Sequence, residues 1–379
     1  MKNIHITLTE FRHESRVLKE IASLESSGVF DGFTIIALGA DDLPVNDSIT
    51  SKVGVRRVNL KTRKLPKSSP FQLVKFIEFM YKCFMLVKKE EAQVVNVHTL
   101  ALLPLGWLLK ITLRLKLVYD AHELETERHG LLGVRKKISK CVERIFVYAC
   151  DLVIVVGDNI ADWYASAYSI DRPLVVKNVP KLRPRIKKDL LRDCLGIQPE
   201  QKILLYQGGL VNARGIQLIL DAFKARKAND IVVVFMGYGD LATEVEYASK
   251  THANIFHLPA VPPSNVLDYT VSADIGISAI ENSCLSYYYC MPNKLYEYAM
   301  AGLPVIVSNM KEMANAVKEA DFGIVFFEHS VLALNAAVDR LASRDISQLS
   351  ENAYQFAQLN AWEVQENIML AGYQRMFGK

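Results

Sequence analysis

Residues 202–226 read KILLYQGGLVNARGIQLILDAFKAR, and this stretch decides the fold. It begins with a short apolar run typical of a buried β-strand, passes through two adjacent glycines, and continues with apolar residues at the spacing of an amphipathic helix. A strand that leads through a glycine turn into a helix is the repeating unit of parallel α/β sheets. The same alternation of β-branched runs and helical patterns continues on both sides of this stretch.

The alternation is interrupted once, at residues 178–188, where two prolines and five cations give the composition of a linker. The sequence therefore predicts two doubly wound, Rossmann-like α/β domains, over residues 1–180 and 181–360, facing each other across a cleft. Ligands of such sheets bind at the carboxyl ends of the strands. A helical tail over about 361–379 follows the second sheet.

Composition excludes several classes of protein. Half of the 379 residues are apolar, 23% are charged and the net charge is only +4. These values are unlike those of a disordered chain or of a strongly basic nucleic-acid-binding protein. The six cysteines form no CxxC pair and no cluster with histidine at metal-ligand spacing. We therefore expect no metal, no nucleic-acid partner and a reducing, cytoplasmic location.

The sequence predicts no membrane-spanning segment. The N-terminus alternates like a strand, not like a signal peptide, and the most apolar stretch, 100–118, contains Lys110, Arg114 and Lys116. Residues 48–77 contain no acid and run into an amphipathic pattern over 71–87. This stretch carries eight cations: Lys52, Arg56, Arg57, Lys61, Arg63, Lys64, Lys67 and Lys75. It is either a peripheral contact with the inner face of an anionic membrane or a solvated loop before a core helix.

Three segments of the second domain suit a phosphate-containing ligand. Gly208 and Gly209 allow close backbone approach before a helix whose first turn is preceded by Arg214. Gly237 and Gly239 follow the next strand in a G-x-G-x-x-A pattern, which also fits an NAD-dependent oxidoreductase. That alternative lacks an acid at 259–263, where a ribose-binding residue is expected.

The third segment is PNKLYEY, residues 292–298. Glu297, on a short helix, suits a sugar diol or a ribose, and Lys294 at the helix start favours phosphate. In the first domain, His98 and His122 each follow a strand, and Asp120 and Glu123 lie next to His122 in sequence. Imidazoles at the carboxyl edge of a sheet can donate to a hydroxyl or shuttle a proton. Each of these groups also has a purely structural interpretation, as a tight turn, a solvated charge or a buried histidine.

Taken together, these segments resemble the family-4 retaining glycosyltransferases of GT-B fold, and the PNKLYEY form resembles a subgroup acting on bacterial surface polysaccharides. The resemblance implies a donor-binding second domain in which Glu297 is also a catalytic residue and in which the donor site contains Gly208, Gly209, Arg214, Gly237, Gly239, Tyr289, Asn293, Lys294 and Glu297. It implies an acceptor-binding first domain with catalytic His122 and with His98, Asp120 and Glu123 near the acceptor. It also implies that the C-terminal helix, with its NAWEVQ segment, crosses back to the first domain.

The chain departs from the family pattern at two positions. Gly209 stands where the family has a phosphate-binding Arg, and Tyr289 stands where it has the first Glu of a Glu-x7-Glu pair that ends at Glu297. Arg214 takes the place of a Lys. Whether Tyr289 or the upstream Glu281 replaces the missing Glu is open.

The resemblance implies transfer of a sugar from a UDP- or GDP-sugar to a hydroxyl of a glycan or lipid-linked acceptor, with retention at the anomeric carbon. The nucleotide sugar is a co-substrate, and no further cofactor or metal is expected. A nucleotide-sugar binding protein without catalysis is the alternative from another class. The oligomeric state is left open.

Overall fold

The computed structural model describes residues 1–12, 14–66 and 68–378, and the chain divides into two compact units. The first unit comprises Met1–Val176 and Glu366–Lys379, and the second comprises Lys177–Gln365. The first division lies a few residues N-terminal to the predicted boundary at 180, and the second lies a few residues C-terminal to the predicted boundary at 360. Each unit is an α/β domain around a parallel sheet, so the predicted fold class is confirmed.

The described part of the first unit contains an eight-stranded sheet in the order β3-β4-β2-β1-β5-β6-β7-β8. All neighbours pair in parallel except β3 with β4. The strands are Lys2–Ile6 (β1), Gly32–Leu38 (β2), Asn46–Ser48 (β3), Val53–Val58 (β4), Val94–Val97 (β5), Lys116–Ala121 (β6), Leu152–Val155 (β7) and Leu174–Val175 (β8).

The helices of this unit cover the sheet between the strands. They are Ser15–Ser26 (α1), Ser69–Glu90 (α2), Leu103–Leu113 (α3), Gly133–Phe146 (α4) and Asp158–Tyr168 (α5). Short 3-10 turns lie at Lys61–Lys64, Leu100–Leu102, Glu125–Glu127 and Val147–Ala149. Helix α4 ends at Phe146, and the chain continues directly into the 3-10 turn at Val147–Ala149.

The two faces of this sheet differ in polarity. Tyr119 points to one face, where its hydroxyl donates to the buried Glu143 of α4 at 2.8 Å. Asp120, the next residue, points to the other face and pairs with Arg16 of α1. Because side chains alternate along a strand, every second residue of β6 faces α1. The polar residues that form the candidate site of the first unit, described below, all point to this face.

The described part of the second unit contains a six-stranded parallel sheet in the order β11-β10-β9-β12-β13-β14. Its strands are Lys202–Gln207 (β9), Ile231–Met236 (β10), Ile255–Leu258 (β11), Ile275–Ser278 (β12), Val305–Ser308 (β13) and Gly323–Phe326 (β14). Its helices are Leu190–Leu195 (α6), Ile216–Ala225 (α7), Ala242–Thr251 (α8), Val266–Thr270 (α9), Leu285–Tyr288 (α10), Asn293–Met300 (α11), Lys311–Glu319 (α12), Val331–Ala342 (α13) and Ser347–Asn360 (α14).

The C-terminal helix, Trp362–Met376 (α15), begins in the second unit and contributes its later turns to the first. Tyr373 on this helix donates its hydroxyl hydrogen to Asn96 Oδ1 on β5. Gly372 lets the helix approach β8, because a Cβ atom there would lie 2.4 Å from Leu174. The residues after 365 are thus part of the first unit's core.

The acid-free basic stretch is largely bound to its own domain. Arg57 is buried and donates to the backbone oxygens of Glu10, Phe11 and Pro44. Arg63 pairs with Glu10 at 2.9 Å, and Lys75 donates to the Leu65 oxygen. Lys67 lies outside the described residues. Among the described helices, none is long and apolar enough to cross a bilayer.

A buried tyrosine fixes the start of the glycine turn that follows β9. Tyr298 on α11 accepts a hydrogen bond from the Gln207 amide at 3.0 Å and donates to the Leu205 oxygen at 2.9 Å. Its ring packs against Gly276, where a Cβ atom would lie 2.5 Å from the ring. A side chain at position 276 would therefore push α11 away from the sheet.

Replacing Tyr298 by Phe tests this role. Tyr298→Phe leaves the Gln207 amide of β9 without its hydroxyl partner, and an unsatisfied buried donor costs about 1–3 kcal/mol. We expect that loss in the free energy of unfolding, measured with urea. Tyr247→Phe, at an exposed position on α8, is the matched control and should change stability by less than about 0.5 kcal/mol. Equal stability of the two variants would contradict the role given to the hydroxyl.

Candidate functional site

Polar residues line the carboxyl ends of three neighbouring strands in the first unit. Each strand presents two of them at alternate positions, and alternate positions face the same side of a sheet. The pairs are Asn3 and His5 on β1, Asn96 and His98 at the end of β5, and Asp120 and His122 at the end of β6. The sheet register therefore brings the predicted residues His98, Asp120 and His122 together.

Asp120 is the centre of this group. Its Oδ2 atom accepts from His122 Nε2 at 2.8 Å, from His98 Nδ1 at 3.1 Å and from Arg16 Nε at 3.0 Å. Its Oδ1 atom accepts from Arg16 Nη2 at 2.7 Å. Burial alone would raise the pKa of Asp120, but Arg16 and the two histidines outweigh it and hold that pKa well below the ordinary value. Asp120 is therefore a carboxylate.

The ionised Asp120 sets the tautomers of the histidines. Burial is the largest cause that lowers the pKa of both His98 and His5, so both are neutral imidazoles near pH 7. His98 must donate through Nδ1 to the carboxylate, which leaves its Nε2 to accept from His5 Nδ1 at 2.9 Å. His122 donates to Asp120 through Nε2, so its Nδ1 is the ring nitrogen left for another partner. His122 is partly exposed, whereas His98 and Asp120 are buried.

Several members of this group were not predicted. His5, Arg16, Glu20 and Asn96 were passed over because each looks ordinary in its own segment. The signal in the sequence that could have revealed them is a pair of polar residues at alternate positions, which recurs in three strands. Glu123, which is predicted to lie near the acceptor, forms an ion pair with Arg128 at 3.4 Å.

The cluster also contains atoms that a metal ion could use, although the sequence spacing indicated none. His98, Asp120 and His122 each offer a ligand atom, all within 4.8 Å of one another, and His5, Glu20 and His98 form a similar group. Arg16 already donates to both oxygens of Asp120, so a divalent cation would compete with a guanidinium for that carboxylate. The expectation of a metal-independent site stays a prediction.

In the second unit, two glycine turns pack backbone against backbone. A Cβ atom at Gly237 would lie 1.9 Å from the Gly208 oxygen, and one at Gly239 would lie 2.4 Å from the Leu210 oxygen. The two loops also share amide hydrogen bonds, from Gly208 to Met236 and from Leu210 to Tyr238. Glycine is required at 237 and 239 because any side chain would separate the loops that follow β9 and β10.

The turn after β9 places Arg214 between two residues with left-handed backbone. Ala213 has φ of 62° and Gly215 has φ of 79°. A Cβ atom at Gly215 would lie 2.0 Å from the Ala279 oxygen, and the Ala213 oxygen accepts from the Glu281 amide at 3.1 Å. The segment after β12 thus holds the turn, and Arg214 stacks on Tyr287 at 4.5 Å from the ring centre.

Lys294 lies in the first turn of α11 and reaches the same place. Its Nζ atom is 3.5 Å from the centre of the Tyr206 ring and 3.7 Å from the position of a Cβ atom on Gly208. Burial, followed by the positive charge of Arg214, holds the pKa of Lys294 well below its ordinary value, while Glu297 acts in the opposite direction. An anion at this turn would relieve the repulsion between the two cations.

Glu297 is held one helical turn further along α11. Its Oε2 atom accepts from Gln207 Nε2 at 2.5 Å, and Gln207 Oε1 accepts from Thr270 at 2.8 Å. Gly208, Arg214, Lys294 and Glu297 are therefore brought together, as predicted residues of one site. Gln207, Tyr206, Thr270 and Tyr298, which fix their positions, were not predicted.

The remaining predicted donor residues are placed less centrally. Asn293 is exposed at the start of α11. The ring of Tyr289 contacts that of Tyr288 at a tilted angle, and Lys311 Nζ lies 5.5 Å from the centre of the Tyr289 ring. Glu281 is 3.9 Å from His329. Gly209 needs no special backbone conformation, and a Cβ atom there would meet only Val211, at 3.9 Å.

The glycine pattern at 237–242 does not present a dinucleotide-binding helix start. The Leu241 amide donates to the Leu210 oxygen at 2.9 Å, and the Ala242 amide donates to the Gly239 oxygen at 3.0 Å. Binding of a pyrophosphate by such a turn uses amides at this helix start. Here the Leu241 amide binds the neighbouring loop and the Ala242 amide binds its own turn, so neither is available to a pyrophosphate, which counts against the oxidoreductase alternative.

Comparison with known proteins gives the family. Residues 187–358 match the model described as Glycosyl transferases group 1, and residues 32–178 match the model described as Glycosyltransferase Family 4. The chain belongs to the family-4 glycosyltransferases. This glycosyltransferase is 24% identical to the Alpha-monoglucosyldiacylglycerol synthase of Streptococcus pneumoniae, over 93% of the chain and 82% of that relative.

Solved structures share the fold of this glycosyltransferase. A sucrose-phosphate synthase from Thermosynechococcus elongatus matches with a TM-score of 0.82 and 14% identity, over 100% of the chain and 99% of that structure. HepE from Anabaena, in complex with UDP-glucose, matches with a TM-score of 0.73 and 13% identity, over 98% of the chain and 99% of that structure. Both matches support the GT-B fold.

The polar cluster predicts a specific dependence of stability on pH. Glu20 lies 2.9 Å from Arg16 Nε, and burial, followed by the charge of Asp120, raises its pKa well above the ordinary 4.5. A carboxyl whose pKa is raised by folding contributes fully to the stability of the folded state below its unfolded pKa. This contribution is lost as the pH rises through the folded pKa. Relative to the wild type, Glu20→Gln should therefore gain stability progressively as the pH rises above about 4.5.

Urea denaturation between about pH 4.5 and pH 8 checks this prediction. Glu25→Gln, on the same helix but only partly buried, is the control and should follow the wild type. Parallel stability curves for Glu20→Gln and the wild type would show that Glu20 does not titrate as the cluster requires.

Proposed function

We propose that this glycosyltransferase moves a sugar from a UDP- or GDP-sugar to a hydroxyl of a glycan or lipid-linked acceptor, with retention at the anomeric carbon. The observation that carries the proposal is the pair of cations, Lys294 and Arg214, held at the Gly208 turn. Two neighbouring cations beside an exposed glycine backbone are suited to a diphosphate, whose charge neither cation balances alone.

The second unit supplies the donor contacts in this proposal. The Gly208 and Gly209 backbone and the cations of Arg214 and Lys294 bind the diphosphate, and Glu297 accepts hydrogen bonds from the ribose. Cations at this turn stabilise the charge that develops on the leaving diphosphate without a metal ion. The structure of HepE with UDP-glucose, which has the same fold, is consistent with a nucleotide-sugar donor.

The first unit supplies the acceptor contacts. His122 Nδ1 accepts a hydrogen bond from a substrate hydroxyl, and Asp120 keeps the ring in the required tautomer. The bond from the anomeric carbon to the diphosphate breaks, the acceptor oxygen bonds to the same face of the sugar, and the acceptor proton leaves with the diphosphate. A lipid-linked acceptor agrees with the name of the glucosyldiacylglycerol synthase relative. We place the reaction in bacterial surface polysaccharide synthesis, at the inner face of an anionic membrane.

Incubation with UDP- and GDP-sugars and a lipid-linked acceptor tests the activity. We expect a glycosylated product whose new linkage has the donor's anomeric configuration by NMR. Donor binding without any product over long incubation would favour the alternative of a nucleotide-sugar binding protein. That alternative is suggested by Gly209 and Tyr289, which stand at positions where the family has charged residues.

Charge at the glycine turn should control nucleotide affinity in both directions. Lys294→Met removes a charged hydrogen bond to phosphate, so we expect UDP or GDP to bind roughly 10- to 100-fold more weakly by calorimetry. Gly209→Arg adds a cation where the structure leaves room, and should tighten binding roughly threefold or more. Lys250→Met, at an exposed lysine that pairs with Glu246, is the matched control. Unchanged nucleotide affinity in Lys294→Met would contradict the placement of the diphosphate at this turn.

Activity and binding should separate at His122. Because His122 belongs to the first unit and positions a substrate hydroxyl, His122→Ala should lower turnover roughly 10²-fold and leave UDP affinity unchanged. His252→Ala, in the second unit, is the control and should keep wild-type turnover. Full turnover in His122→Ala would remove His122 from the proposed site.

A further inference from the structure

Helix α2 is apolar on two opposite faces. Phe79, Cys83 and Val87 are buried against the first unit, as expected for a helix that covers a sheet. Val74, Ile77, Tyr81 and Met85 recur every three or four residues on the other side, so they form one stripe along the helix. Ile77 is 56% exposed and Tyr81 is 64% exposed. A second apolar stripe facing solvent has no role in packing this unit.

Helices α3 and α4 repeat this arrangement. Helix α3 packs against both α2 and α4, so the three helices form one layer. On α3, Leu108 and Ile111 are exposed while Leu105 and Leu109 are buried. Trp107 is also partly exposed, and its ring lies 5.3 Å from that of Phe146 on α4.

The stripe on α4 has the same helical spacing. It contains Val134, Ile138 and Ile145, and Val134 is 71% exposed. Cys141 is exposed between Ile138 and Ile145. We call the exposed apolar residues of α2, α3 and α4 together the three-helix face. Exposed apolar area of this extent is typical of an interaction surface.

The helices of this face carry an excess of positive charge. The sequence of the three helices contains ten Lys and Arg and three Glu. The acids are bound elsewhere: Glu78 to Lys82 and to the backbone of Lys61 and Thr62, Glu90 to Lys2, and Glu143 to three buried tyrosine hydroxyls. Exposed cations on these helices include Lys88, Lys89, Arg135, Lys137 and Arg144.

We propose that the three-helix face docks on the surface of an anionic lipid bilayer. Apolar side chains that enter the acyl boundary, surrounded by cations that meet anionic headgroups, are the pattern of an interfacial membrane contact. A second copy of this chain on the same face would bring cations against cations. The core of a protein interface is also depleted in lysine. The proposal deepens the membrane contact named under the proposed function and identifies the surface responsible.

Vesicle flotation tests the proposal with the full chain and without donor or acceptor. We expect binding to phosphatidylcholine vesicles that contain phosphatidylglycerol. Binding to vesicles of phosphatidylcholine alone should be at least roughly tenfold weaker. Each cation near an anionic surface contributes about fivefold. Lys88→Glu with Lys89→Glu and Lys137→Glu should therefore abolish the preference for anionic lipid, and raised salt should weaken binding.

The apolar contribution has a matched control. Ile77→Glu, Ile111→Glu and Ile138→Glu in one variant should lower vesicle binding at least tenfold. The control variant carries Tyr247→Glu, Leu332→Glu and Leu359→Glu, which replace equally exposed apolar residues of the second unit, and should bind like the wild type. A cooperative urea unfolding transition, measured on every variant, shows that each is folded.

Three results would overturn the proposal. The first is no binding to anionic vesicles, and the second is an equal loss of vesicle binding in the isoleucine triple variant and its second-unit control. The third is a dimer in solution that the isoleucine triple variant dissociates. Vesicle binding requires no sugar transfer, so its failure is distinct from failure of the enzymatic proposal. Bound but inactive protein would leave the three-helix face supported and the proposed reaction contradicted.

Discussion

Parallel pairing is the constraint on which both candidate sites depend. When neighbouring strands run in the same direction, their carboxyl ends lie along one edge of the sheet, and the side chains that follow them become neighbours. In the first unit this places His98 next to Asp120, because Val97 pairs with Tyr119. In the second unit it places Gly208 against Gly237, because Gln207 pairs with Met236. Residues far apart in sequence therefore meet without long loops.

The buried ions of the first unit have a role beyond stability. An ion pair taken out of water seldom stabilises a fold more than apolar side chains of the same size would. The pair of Arg16 and Asp120 does fix the direction of the hydrogen bonds in the cluster, because each neighbouring imidazole donates to the ionised Asp120. The hydrogen bonds from Tyr373 to Asn96 and from His5 to His98 then follow the same order. The cluster delivers a defined acceptor nitrogen on the exposed histidine.

The first unit has different chemistry on the two sides of its sheet. One side carries the polar cluster under α1 and α15. The other is covered by α2, α3 and α4, whose outer surfaces are apolar and basic. The basic stretch that drew attention in the sequence contributes little to that surface, since Arg57 and Arg63 bind the backbone of their own domain. The surface instead includes cations of α4, a segment in which the sequence predicts no membrane contact.

The sequence by itself determined the order of strands and helices, the two α/β domains and the position of each glycine turn. These features depend on residues close together in the chain, such as apolar periodicity and adjacent glycines. It also indicated His122, Lys294 and Glu297, because each follows a strand or begins a helix. Only the tertiary structure decided that Arg16 meets Asp120, 104 residues later, and that Tyr298 holds the Gln207 amide. Such contacts depend on strand order and on which face of a strand a residue occupies, and neither follows from local sequence. The same holds for Ile77, Ile111 and Ile138, because an apolar helical stripe appears alike in sequence whether it is buried or exposed.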